Sequence, residues 1–415
     1  MKHLSHKKTA ELRFFMYNKP MTSKAKFLLA VAMLFSAGNS VASTFINVFL
    51  MRTTDNSITL VIWQSILNYL ILLIAFVSGT RLLSKLSITK IFRLGIIAQA
   101  LYYVIILVMR NDLLPFIVPL GIFSGLGQGL YWFSLNLLIG DIVTEDNQAK
   151  FFSYQQMMGF IFGILVPALS GFLIVRMGGL SGYYVLFAIS IFLFLFGIFL
   201  IKNISGFKTE NKMNILGVLT LRGNRYWDSN AILSFSMGFK GVLNSLIFVL
   251  FAYLIFKNES TMGNLGSFQA ILSAISSLIF AHIFQKSHTR AMYFITCSLS
   301  FLTFVLLAFF ANPIMMIAGY IIFGIIQSWG SAIANAMNYR LSTRGGNGFS
   351  QREYIVASEF PIALGRVLGL LLALLLTQIL PSALTAYRFL FIATGLMWIL
   401  EFIIIDYKVK WLKND

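Results

Sequence analysis

Three ionisable side chains fall inside apolar runs, where a charge has to justify its place. Lys240 lies between Gly238 and Gly241 in the run 229–256, and Arg366 lies near the middle of 354–379. Glu359 precedes Arg366 by seven residues. An ionised group at the centre of a bilayer costs roughly 2.5–3.5 kcal/mol on insertion scales, so such a residue points to a ligand, a proton path or a buried partner. Two cations at mid-depth suit an anionic substrate group, and Glu359 is the candidate to take up and release a proton. On a helix Glu359 and Arg366 share a face, about 10 Å apart along the axis. Their side chains lean toward the helix N-terminus, which favours a shared cavity wall over a direct pair. The alternative for Lys240 and Arg366 is that each pairs with a carboxylate or carbonyls and only fixes helices.

The elements around these residues are apolar helices. Of 415 residues 58% are hydrophobic and 11% charged, too few charges to coat a soluble body of this size. Apolar blocks of about 20 residues match the thickness of the hydrocarbon layer. They lack period-2 alternation, so they read as helices and not as barrel strands. Twelve spans are predicted: 26–50, 58–79, 92–110, 114–139, 151–175, 182–201, 229–256, 264–284, 291–311, 313–337, 354–379 and 382–405. The fold class is all-α and polytopic, in a lipid bilayer. No signal peptide is expected, because the first block is too long and no small-residue cleavage pattern follows it.

The net charge of +18 would suggest nucleic acid in a soluble protein. Here the basic residues crowd into alternate loops, so no nucleic-acid partner is expected. With both termini on one side, 25 of the 32 Lys and Arg fall on that side and 5 on the other, leaving Lys240 and Arg366 within spans. That asymmetry places both termini in the cytoplasm of a bacterial inner (plasma) membrane. No phosphate loop, Cys-x-x-Cys, His-Glu-x-x-His or Gly-x-Ser-x-Gly is present, so neither an enzyme nor a cofactor is expected. The four His show no metal-ligand spacing, and Cys297 reads as a buried, inert thiol. Glu401, near the end of the last span, reads as a side chain that reaches to the interface.

The chain divides into an N-terminal half (1–201), a linker (202–228) and a C-terminal half (229–415). Gln128 and Asn136 of span four recur as Gln327 and Asn335 of span ten at an offset of 199, and Tyr154 recurs as Tyr354 at 200. A six-plus-six layout with such echoes suggests parallel repeats. Gln128, Gln327 and Asn39 are the uncharged polar groups expected to meet a substrate. Tyr102, Tyr103, Tyr131, Trp132 and Trp329 could pack a hydrophobic ligand, with core packing as the default.

This topology resembles the major facilitator superfamily along nearly the whole chain. Gly79 to Lys90 is similar to the family's loop between spans two and three, with Ser84-Lys85 in place of its Asp-Arg pair and Ser87 in place of its second Gly. The acidic member of the family's charge latch is missing there; a gating contact of Asp141 with Lys85 or Lys90 is one reading, and a solvated loop is the other. The second copy survives as Gln285-Lys286 and Arg290. In span five, Gly159, Gly163, Pro167 and Gly171 resemble the Gly/Pro motif of exporters in this superfamily. The string from Arg352 through Glu359-Phe360-Pro361 to Gly365-Arg366-Val367 resembles a poorly characterised bacterial branch. The implied function is proton-coupled export of an amphipathic or anionic small molecule by alternating access, with the protein acting as a monomer. The alternatives are an importer, or a receptor or assembly factor that transports nothing.

Overall fold

The structure, a computed structural model, describes residues 21–54, 57–109, 113–143, 145–204, 206, 214–221, 223–283, 289–344 and 348–408. Gln285 and Lys286 lie outside the described residues. Twelve helices are long and apolar enough to cross a membrane. They are α1 (Ser23–Thr53), α2 (Ile58–Lys85), α3 (Ile88–Met109), α4 (Leu114–Ile139), α5 (Tyr154–Met177) and α6 (Ser181–Asn203). Then follow α7 (Arg225–Phe256), α8 (Glu259–Ile279), α9 (Arg290–Phe309), α10 (Pro313–Ser342), α11 (Glu353–Ile379) and α12 (Ala383–Lys408). Each predicted span has its helix.

Helix ends move outward where polar residues cap them. Asn224 accepts from the Tyr226 and Trp227 amides and starts α7 four residues ahead of the apolar run. Ser350 and Glu353 form a reciprocal capping box at the start of α11. Glu353 also accepts from the Asn214 amide at 2.7 Å, which docks a short helix, Ile215–Leu219, against α11. At its far end α7 stops at Lys257, a left-handed residue with φ 49°.

Lipid supplies no hydrophobic drive between helices, so close packing depends on small residues. In α4, Gly125 and Gly129 face α2, where an added Cβ would come within 2.5 Å of the Asn68 or Leu72 carbonyl oxygen. In α7 and α11, Gly238 and Gly365 press against the Ile362 and Phe235 carbonyls in the same manner. α1, α3, α4 and α6 enclose an aromatic core in which Phe35 stacks on Tyr131 at 3.4 Å and Phe92 on Tyr131 at 5.2 Å. Tyr102, Tyr103 and Tyr131 are all buried here, so the default of core packing holds for them. α7–α12 make a second bundle, and the two bundles meet along α5 with α8 and α2 with α11.

α1 and α7 depart from regular geometry within their length. α1 is interrupted at Thr44–Phe45, where Thr44 Oγ1 donates to the Ser40 carbonyl at 2.7 Å, a back-bond that bends helices. α7 widens into a π-helix over Leu243–Phe248, a feature frequent at functional sites.

Candidate functional site

Both irregularities border one cavity of about 330 Å³ between the bundles. α1 contributes Thr44 and Phe45 at its break, and α5 contributes Pro167. α7 contributes Gly241, Asn244, Ser245, Phe248 and Val249, on and beside the π turn. Met262, Gly266 and Gln269 come from α8, with Tyr320 and Gln327 from α10. Gln269 Nε2 donates to Gln327 Oε1 at 3.3 Å. None of these lining residues is charged. The site therefore offers amides, hydroxyls and aromatic faces, the chemistry of an uncharged polar or amphipathic ligand.

The two bundles are latched together at the end that carries Arg52 and Glu259. Arg52 Nη1 of α1 lies 2.7 Å from Glu259 Oε1 of α8, joining the two bundles. Tyr183 OH of α6 donates to the same oxygen at 2.8 Å. Below this latch α5 and α8 interlock: a Cβ on Gly171 would come within 2.5 Å of the Glu259 carbonyl oxygen, and Gly263 presses on the Pro167 carbonyl. Ser267 Oγ accepts from the Ala168 amide at 3.0 Å. The Gly/Pro motif of span five is thus the face that meets α8 at Gly163, Pro167 and Gly171, while Gly159 has open space beside it.

Toward the other end, which carries Lys85 and Lys90, the helices expose polar stripes. Trp132 and Asn136 of α4 are exposed one turn apart beyond half-buried Gln128, and Gln327, Ser331 and Asn335 of α10 are all exposed. These triplets are equivalents at the 199-residue offset. A polar face costs too much against lipid, so the stripes suit a vestibule open to water.

The residues singled out from sequence scatter. Gln327 is in the cavity wall. Gln128 donates to Ser124 Oγ on its own helix at 3.2 Å, and Asn39 is half-buried on α1; neither is among the lining residues. Arg366 is half-buried with its guanidinium 5.0 Å from the Tyr69 ring centroid, across the α2–α11 seam. Glu359 is half-buried, and no ion pair joins it to Arg366 among the described residues. Asp141, Lys85 and Lys90 are exposed, and no ion pair links them either.

For Lys240 the pairing alternative holds, and for Glu401 the expectation changes. Lys240 does not enter the cavity as a free cation: its Nζ is 2.5 Å from Glu401 Oε2 and 3.5 Å from the centroid of the Trp398 ring. Glu401 does not reach the interface, being 1% exposed and also accepting from Tyr293 OH of α9. The helix periodicity turns this side chain into the bundle, where Lys240 waits on α7. Asn244, Ser245 and Gln269 complete the polar wall, and Arg52 with Glu259 forms the latch. From sequence Arg52 is one of the five basic residues on the sparsely charged side, and its partner lies 207 residues away.

Comparison with known proteins agrees with this architecture. The model of the Major Facilitator Superfamily matches residues 28–350. The uncharacterized protein YqgE of Bacillus subtilis (strain 168) is 26% identical over 261 residues, which is 63% of this chain and 59% of that protein. The fold is similar to that of the nucleoside transporter NupG, with a TM-score of 0.67 at 12% identity over 94% of this chain and 100% of that one. A bacterial homologue of the iron transporter ferroportin in its inward-facing state gives a TM-score of 0.67 at 14% identity, covering 95% of this chain and 99% of that one. Its outward-facing state gives 0.62, over 94% and 100%. Twelve membrane-length helices, the cavity between their bundles and the family match converge: the chain belongs to the Major Facilitator Superfamily and is a multi-pass membrane transporter of that type.

Proposed function

We propose that the chain carries an uncharged or zwitterionic amphipathic organic molecule by alternating access, with the Lys85–Lys90 end in the cytoplasm. The observation that carries this reading is the uncharged, amide- and hydroxyl-lined cavity between the bundles. Its volume sits at the lower end of the range for small-molecule sites. Gln327, Gln269 and Asn244 would hold polar groups of the solute, and Phe45, Phe248 and Tyr320 would pack its apolar face. Arg366 serves the α2–α11 seam through Tyr69, and an anionic solute is not favoured because the cavity wall holds no cation.

The latch Arg52–Glu259–Tyr183 would close the outer side while the polar stripes of α4 and α10 keep the inner vestibule wet. Export is the direction favoured by the Gly/Pro face of α5, and a proton gradient is the driving force this reading adopts. The loop surplus of Lys and Arg supports a cytoplasmic position for the vestibule.

Sided labelling tests the reading. Ser245→Cys, placed in the cavity wall, is expected to react with a membrane-impermeant maleimide from the cytoplasmic face of inverted vesicles. Glu259→Gln should add reactivity from the outer face, because opening the latch shifts the two populations by the coupling it supplied. Reaction of Ser245→Cys from the outer face alone, with the latch intact, refutes both the orientation and the assigned state. In proteoliposomes, Gln327→Ala should raise the KM for any neutral solute carried.

A further inference from the structure

The Lys240–Glu401 pair is costly for an anchor. Both side chains are shielded, at 8% and 0% exposed. Apolar residues of the same volume usually replace such a pair without loss of stability. The surroundings give it a second use. Tyr293 OH donates to Glu401 Oε1, and Lys240 Nζ lies 2.5 Å from Oε2. The ammonium also sits 3.5 Å from the Trp398 ring centroid, one helical turn before Glu401 on α12. That ring is a partner the cation keeps when the carboxylate is neutralised. The next residue, Gly241, lines the cavity, and nothing lies within 4 Å of where its Cβ would be. Water in the cavity can approach the backbone beside Lys240, directly ahead of the π turn that carries Asn244 and Ser245.

We propose that Glu401 is the proton-binding site that couples this carrier to a proton gradient. The proposal rests on the proton-driven reading above. A proton bonds to Glu401 Oε2 and displaces the Lys240 N–H contact. The carboxylate becomes a neutral acid still held by Tyr293, and Lys240 keeps its charge over Trp398. The freed ammonium then shifts α7 at its widened turn, where the cavity wall is built. The other groups facing α12 are few. α9 presents Tyr293 and the buried thiol of Cys297, and its Arg290 pairs with Asp406 at 2.6 Å near the helix end. α7 adds Asp228, 3.9 Å from Lys408. α11 carries Glu359 and Arg366, the latter engaged by Tyr69. Glu359 is the rival site, but it has no cation within ion-pair distance among the described residues.

The test uses the full chain in proteoliposomes and the proton as its own probe. Infrared difference spectra between acid and alkaline buffer should show the carbonyl stretch of a buried carboxylic acid. That band should move on 13C-glutamate labelling and change frequency in Tyr293→Phe. It should persist in Glu359→Gln and vanish in Glu401→Gln. Outer-face labelling of Ser245→Cys should change several-fold across the same pH range and go flat in Glu401→Gln. Cys297 stays in place, with the chain lacking the added cysteine as blank. A band lost in Glu359→Gln instead, or kept in Glu401→Gln, overturns the proposal. So does labelling that still follows pH in a folded Glu401→Gln, an outcome that leaves proton-driven transport standing with its site elsewhere. Sided labelling indifferent to pH in every variant removes proton coupling itself.

Discussion

Both bundles have aromatic interiors, but they differ in the charge they bury. Around α1, α3, α4 and α6 the interior is aromatic, with Tyr131 between Phe35 and Phe92 and Tyr103 stacked on Phe187. Among the described residues the charged side chains buried as whole residues are Lys240, Glu259 and Glu401, all on α7, α8 and α12. The second bundle also holds a polar knot in which Asn230 donates to Asn338 Oδ1 at 2.7 Å and accepts from Ser358 Oγ at 2.7 Å. Most of the cavity wall comes from that second bundle too. Stacked rings pack in one arrangement and resist change, whereas ion pairs and hydrogen bonds can exchange partners. The first bundle is suited to be the rigid body and the second the one that responds.

The largest effect should come from breaking that contrast at Lys240. Lys240→Met leaves the buried Glu401 without its cation, at a cost of about 3–5 kcal/mol. Adding Glu401→Met should recover most of the loss, because two apolar side chains fill the space that the pair occupied. Phe35→Ala in the first bundle should cost a similar 3–5 kcal/mol through its cavity, but no second substitution of comparable kind restores it. Unfolding of the purified variants in detergent measures all three. A double variant no more stable than Lys240→Met would show that the pair is not an exchangeable unit.

The next effect lies at the seam between the bundles. Gly263→Ala drives a methyl into the Pro167 carbonyl, and overpacking of this kind costs about 1–3 kcal/mol. The strain falls between the bundles and not within either, so outer-face labelling of Ser245→Cys should rise while the unfolding midpoint stays near that of the parent. Gly125→Ala, which meets the Asn68 carbonyl inside the first bundle, should do the reverse.

These contrasts show what the sequence could tell. The spans were legible because hydrocarbon thickness sets a length that composition reveals, and Gln327 was legible because it echoes Gln128 on an equivalent helix. Lys240 and Arg366 were found by depth alone. Their partners were not, because pairing depends on how each helix is rotated about its axis. A position near the end of a span made Glu401 look like an interfacial acid, although periodicity turns it inward toward Lys240. Arg52 and Glu259 were hidden in a similar way: one sits at the end of α1 and the other at the start of α8, and only the approach of the two helices makes them a pair. The π turn at Leu243–Phe248 has no composition signal at all. Complementary charges at span ends on one side, tried in pairs, were the signal that could have exposed the latch.

The smallest predicted effect compares the two loops that resemble the family motif. In the first bundle Lys85 and Lys90 are exposed and have no ion pair among the described residues. In the second, Arg290 retains an acidic partner: Nε is 2.6 Å from Asp406 Oδ1 and Nη2 is 2.7 Å from Oδ2. This two-pronged geometry is the strong form of an arginine–carboxylate contact, yet the Arg290 side chain is 53% exposed. Solvent and salt therefore screen it, and such pairs contribute about 1 kcal/mol or less. Asp406→Asn should lower stability by no more than that amount, with the loss shrinking as ionic strength rises. Lys85→Ala should leave stability unchanged at any salt concentration. If Lys85→Ala proves the more costly, the first loop has a partner in a state other than this one, and the gate sought at Asp141 moves back into contention.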